Sequence, residues 1–116
     1  MAETVRNARN RGQVCRLAIA TFDPMLAAGA RRLRELRAGA DLLVVLVDSP
    51  QNPLLPAAAR AGLAAGLQAV DYVVVRGEGD LELITAFPES EIAIERETDA
   101  ARTQELARRV HERQRN

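Results

Sequence analysis

Lysine and tryptophan are absent from this 116-residue chain, and cysteine and histidine occur once each, as Cys15 and His111. A single cysteine excludes a disulfide framework and a paired-thiol metal site. A lone histidine with no cysteine or histidine at ligand spacing argues against zinc, so no metal ligands are assigned. One tyrosine and two phenylalanines are the only aromatics, and the core must therefore be built from Leu, Val, Ile and Ala, whose small volumes imply close helix-to-sheet packing. No apolar run approaches the roughly 20 residues that cross a bilayer. No secretory hydrophobic region is evident either, so the expected location is the cytoplasm, with no membrane partner. Formal net charge is zero, which argues against nucleic acid as a partner. There is no Walker-type glycine-lysine loop, and Arg76 to Asp80 does not follow the dinucleotide fingerprint. All 16 basic residues are arginine, which together with abundant alanine fits GC-rich bacterial coding.

The length bounds the chain to one domain with a modest core. Residues 1–37 hold eight arginines and three acids, whereas residues 76–99 hold eight acids and two arginines. That polarity reads either as a dipole across the fold or as salt bridges between the two regions. Residues 1–13 are polar, with Asn7, Asn10 and Gly12 and no evident apolar face, and read as a flexible N-terminal arm or a short frayed helix. The domain proper is expected over residues 14–116.

The organising stretch runs from Val14 to Gly39. Val14, Leu17 and Ile19 alternate as in a buried strand, and Leu26, Ala30, Leu33 and Leu36 then recur at helical spacing. Asp23 and Pro24 supply a cap and a first helical residue, and Gly39 a stop. A strand that becomes a helix within a few residues makes an anion-binding corner, because unpaired N–H groups face whatever lies above the strand's carboxyl end. Asp41 to Asp48 is apolar between two acids, as in a central parallel strand. After a loop over residues 49–53, Pro56 to Ala69 reads as a helix packing through Leu63, Leu67 and Val70. Its Gly62 and Gly66 each cost about 1 kcal/mol relative to alanine. Close backbone approach offsets that cost, either against the sheet or against a second protomer.

Tyr72 to Val75 reads as a third buried strand. Its loop, Arg76 to Asp80, is expected beside the first strand, overlooking the same crevice. Arg76 there either meets an anion or pairs with Glu78 or Asp80. Asp48 and Ser49 either contact a ribose or metal, or serve as caps. Asp80 to Phe87 reads as a short helix packing through Leu81, Ile84 and Phe87. Glu91 to Glu95 alternates as an edge strand, and residues 98–115 form a last helix with Thr103, Leu106, Ala107 and Val110 on its packing stripe. Cys15 reads as a buried strand residue.

The run from Ala20 to Leu33, A-T-F-D-P-M-L-A-A-G-A-R-R-L, resembles the opening of the cytidylyltransferase-like nucleotidyltransferases, G-T-F-D-x-x-H-x-G-H followed by a helix. Leu55 to Val75 is similar to that family's E-R-x-x-L-x-x-x-L-x-x-V-D-x-V-V helix pattern, and the two blocks stand in the family's order, covering most of residues 14–76. The resemblance implies a three-layer, Rossmann-like α/β fold of the HUP type, with a five-stranded parallel sheet in the order 3-2-1-4-5. It also implies nucleotide or phosphate contacts at Thr21, Phe22, Asp23 and Asp48, and at Thr103 before the last helix; Arg31, and Arg76 by its place at a strand end, are the candidate phosphate-binding cations.

The two motif histidines fall on Leu26 and Gly29, and the glycine between them on Ala28. In the family those imidazoles stabilise charge as pyrophosphate leaves. One such donor is worth ~3–4 kcal/mol, so losing two without replacement removes several orders of magnitude of rate. The family's phosphate lysine has no counterpart here. Two functions follow. The chain is either a degenerate module that has lost transfer chemistry and binds a nucleotide, a phosphorylated small molecule or a protein, or a working transferase. The second would move CMP or AMP from a nucleoside triphosphate, with Mg²⁺, to a phosphorylated sugar or alcohol, with Arg31, Arg76 or a partner chain replacing the histidines. A planar guanidinium is not a point charge, so that replacement needs a different placement. The first reading is preferred, because the cationic parts of the site are missing together. A structural homodimer without ligand is the third.

Overall fold

The computed structural model describes residues 1–22, 27–49, 53–77, 79–95 and 108. Its elements in chain order are α1 (Ala2–Asn10), β1 (Cys15–Ala20), α2 (Ala27–Arg37), β2 (Leu42–Val47), α3 (Ala57–Ala65), β3 (Tyr72–Val75), α4 (Asp80–Thr85), a 3₁₀ turn (Glu89–Glu91) and β4 (Ile92–Ile94). The four described strands form one parallel sheet in the order β3-β2-β1-β4. With helices on both faces this is a Rossmann-like arrangement. The order matches the first four strands of the expected 3-2-1-4-5, and no fifth strand occurs among the described residues.

Alternation along the central strands splits the core in two. Cys15, Leu17, Ile19, Val44 and Leu46 face Val5 and Ala8 of α1 together with Leu83, Ala86 and Phe87 at α4. Ala18, Ala20, Leu43, Val45 and Val47 face Phe22, Leu33 of α2 and Ala64 of α3. The chain therefore covers one face with α2 and α3, and crosses to the other with α4. Gly39, at φ +80°, turns the chain after α2 as its position predicted. Asp71 accepts the Leu43 N–H at 2.7 Å and pairs with Arg37 at 3.1 Å, pinning the start of β3 beside β2. No helix among the described residues is long and apolar enough to cross a membrane.

Several expectations need correction. Residues 2–10 do carry an apolar stripe: Ala2, Val5 and Ala8 recur at three-residue spacing, and Val5 and Ala8 are each 1% exposed. Arg9 ties the helix down by donating to the Ala86 carbonyl at 2.6 Å. Helix α3 ends four residues earlier than its periodicity implies, and Leu63 faces outward while Arg60 and Ala64 face in. β3 is an edge strand rather than a buried one, with Tyr72 and Val75 exposed. In α4, Leu83 is buried and Leu81 faces solvent. The opposed charges of the two chain regions meet directly: Arg16 pairs with Glu91 at 2.8 Å and Arg32 with Glu95 at 2.9 Å. Of the last expected helix, Arg108 alone is described, helical and exposed.

Candidate functional site

Ligands of open α/β sheets bind at the carboxyl ends of the strands. There β1 runs into Thr21 and Phe22, β2 into Asp48 and Ser49, and β3 into Arg76 and Gly77. Phe22 lies at φ 53°, a left-handed conformation that costs a bulky residue on the order of 1–3 kcal/mol. Its ring is buried in the α2/α3 core, so packing holds the turn that the backbone disfavours.

The residue that organises this end is Arg60. It is 2% exposed. Its guanidinium reaches from α3 to donate to the Thr21 carbonyl at 3.0 Å, the Leu55 carbonyl at 3.1 Å and the Asp48 carbonyl. It thereby clamps the ends of β1 and β2 to the segment that enters α3. Sequence reasoning passed it over, because an arginine among alanines in a helix ordinarily faces water.

Asp48 is 3% exposed and does not face solvent. Its Oδ1 accepts the Ser49 N–H at 2.9 Å and Arg76 Nη1 at 2.6 Å. The Arg76 side chain is 56% exposed, and its Nε also lies 3.8 Å from Asp80. Asp80 in turn accepts the Gly77 N–H. The hydrogen bond and the negative charge of Asp48 push the Arg76 pKa above its ordinary value, so this guanidinium is a permanent cation. A cavity of about 90 Å³ lies beneath it, with Ile19, Leu46 and Ile84 as apolar floor and Asp48 and Asp80 as polar wall.

The structure thus brings Thr21, Phe22, Asp48 and Arg76 to one end of the sheet, with Arg60 as the hub. β3 neighbours β2, so the Arg76 loop meets Asp48 rather than the end of β1, correcting the expected placement. Arg31 is exposed on α2 and makes no ion pair among the described residues, and Gly29 is half-buried in the first turn of α2. Asp23, Leu26, Thr103 and His111 lie outside the described residues.

No family model matches the chain, and no curated protein matches it. Function has to be read from the crevice itself. Its chemistry is limited by commitment: Arg60 spends its donors on main-chain carbonyls, and Arg76 is held by carboxylates. Among the described residues no three His, Cys, Asp or Glu side chains converge as metal ligands. The described acids of the crevice do not fit a protein cage for Mg²⁺, since Asp48 Oδ1 already carries a guanidinium and an amide. A second, larger groove of about 410 Å³ runs between α2 and β4. Sequence reasoning did not single out its polar residues, Arg16, Arg32, Glu91 and Glu95, which neutralise one another in pairs.

Proposed function

We propose that this chain is a nucleotidyltransferase-like module without transfer chemistry, which holds a nucleotide or another small phosphorylated metabolite at the carboxyl end of its sheet. The observation that carries this reading is the contact between Arg76 and Asp48. A solvent-accessible guanidinium, with five N–H donors of which few are used, stands over a cavity at the strand ends. A phosphate oxygen can exchange with an Asp80 or Asp48 oxygen at Arg76, because a guanidinium fork accepts either anion with similar geometry. Turnover asks for more. It needs donors aimed at a pentavalent phosphorus and its leaving group, and the sequence places Leu26 and Gly29 where the family's imidazoles stand. The nearest buried cation, Arg60, is 2% exposed and turns its Nε and Nη1 donors onto main-chain carbonyls.

The test is pyrophosphate release from each nucleoside triphosphate with Mg²⁺ over a panel of sugar and alcohol phosphates. No release is expected, while a nucleotide at about 100 times its dissociation constant should stabilise the fold by ~2.7 kcal/mol. Sustained turnover lost in Arg31→Ala or Arg76→Ala would replace this reading with that of a working transferase built on arginine.

A further inference from the structure

Where α1 turns into β1, at the end of the sheet away from the crevice, a groove of about 420 Å³ is lined by Arg6, Arg9, Asn10, Gly12 and Gln13. These residues are exposed, as is Arg11 among them, and no carboxylate among the described residues lines the groove. By contrast Arg16, Arg32, Arg37 and Arg76 each have an acid within 3.1 Å. Arg6, Arg9 and Arg11 have none among the described residues. Glu3 stands away in the first turn of α1, and Asp41 accepts the Val14 N–H at 2.7 Å. A net charge of zero thus conceals a local cationic patch.

Basic residues at a helix C-terminus ordinarily cap its last carbonyls. Here that work is done by the main chain: the Asn7, Ala8 and Arg9 carbonyls accept the N–H groups of Arg11, Gly12 and Gln13 at 2.9–3.2 Å. Gly12, at φ +81°, permits the turn. The three guanidiniums are therefore not caps. Arg9 reaches away from its own helix and gives one Nη1 bond to the Ala86 carbonyl at 2.6 Å, which fixes its place and leaves the rest of its fork. Arg11 touches only the Gln13 Oε1, at 3.5 Å, too long to hold it.

We infer that this groove is a second anion site, separate from the crevice, and that it takes a run of consecutive phosphates, as in inorganic polyphosphate or a nucleic-acid backbone. Guanidinium forks match phosphate oxygens in pairs. Arg6 and Arg9 are three apart on one helix, with Cβ atoms about 5–6 Å from each other, so they meet neighbouring phosphates together. Arg11 supplies a third cation, and the Asn10 and Gln13 amides supply neutral donors. The lining holds no aromatic ring on which a base could stack and no apolar floor for an acyl chain. Recognition is by charge and fork geometry alone, without sequence preference.

The test titrates the full chain, carrying Arg76→Gln so that the crevice does not contribute, with inorganic tripolyphosphate and with a mixed-sequence single strand of about 12 nucleotides. Saturable binding of the strand is expected at low salt, and its logarithmic salt dependence should have a slope of about 2, for three phosphate contacts at ~0.7 each. Arg6→Gln and Arg11→Gln should each raise the dissociation constant by roughly threefold or more and lower that slope by about 0.7. Arg34→Gln removes an equally exposed arginine from α2 and should change neither. Circular dichroism checks that each variant folds, and Arg11→Gln serves alone if Arg6→Gln does not. Binding of tripolyphosphate alone on these terms names free polyphosphate as the source, and binding of the strand alone names the nucleic-acid backbone. Failure of both probes to bind at millimolar concentration in low salt would overturn the inference, and so would binding that Arg34→Gln weakens as much as Arg6→Gln and Arg11→Gln do.

Discussion

Arg60 and Arg76 stand at the same end of the sheet and are held in opposite ways. Arg60 comes up from α3, is buried, and bonds to carbonyls of three segments. Arg76 leaves β3, is more than half exposed, and bonds to carboxylates. A buried guanidinium on main-chain oxygens cannot let go without stranding its own charge, so it acts as architecture. An exposed guanidinium on carboxylates can trade one anion for another with water to help. The first shapes the crevice; the second is free to use it.

The largest effect should follow from removing the clamp. Arg60→Met removes the buried guanidinium's bonds to the Thr21, Asp48 and Leu55 carbonyls and should cost about 3–5 kcal/mol in urea-induced unfolding, the range for breaking a buried charged network. Arg60→Lys keeps the charge but not the fork, and should fall between wild type and Arg60→Met. Arg76→Gln is expected to leave the unfolding midpoint far closer to wild type while abolishing the shift that nucleotides or phosphate induce. If Arg76→Gln destabilised as much as Arg60→Met, the division between the two arginines would fail.

Salt sharpens the same contrast. Raising ionic strength towards 1 M shortens the screening length to about 3 Å. It should weaken phosphate binding at Arg76 and leave the stability difference between wild type and Arg60→Met nearly unchanged.

The smallest effect concerns pH. It is read at Cys15. Burial, outweighing nearby Arg9, pushes its thiol pKa above the ordinary value of 9.0. The folded chain then keeps the proton to higher pH than the unfolded chain does. Stability is accordingly intact below pH 9 and declines as pH rises beyond it. Cys15→Ala should flatten that decline in pH-dependent urea titrations without altering nucleotide binding.

How much of this was legible in the sequence depended on whether a residue's neighbours were close in the chain. The run at 15–20 announced a buried strand by its alternation and the run at 42–47 a central one because apolar residues filled both faces, and the acids around Ile92 to Ile94 announced an edge. Asp48 and Arg76 were legible as strand-end polar residues, though not their contact, since the neighbour of β3 depends on strand order. Arg60 was missed because its partners at Thr21 and Asp48 lie 39 and 12 residues away, and local pattern reads a lone helical arginine as solvated. Leu63 misled for a related reason. The helix stops at Ala65, so Leu67 and Val70 pack from beyond its end, and the stripe drawn through all three does not exist. In α1, alanines at positions 2 and 8 conceal a packing face that polar composition seemed to exclude.

The central claim is that Arg76 offers a phosphate site on a scaffold that does not turn over. It is tested most directly in one nuclear magnetic resonance titration with CTP or ATP and Mg²⁺, reading protein amides and phosphorus from the same sample. Saturable shifts of the Ser49 and Gly77 amides and the Arg76 Nε–H, with the triphosphate intact, are the expected result. Silence at those three positions, or the appearance of pyrophosphate, would contradict it.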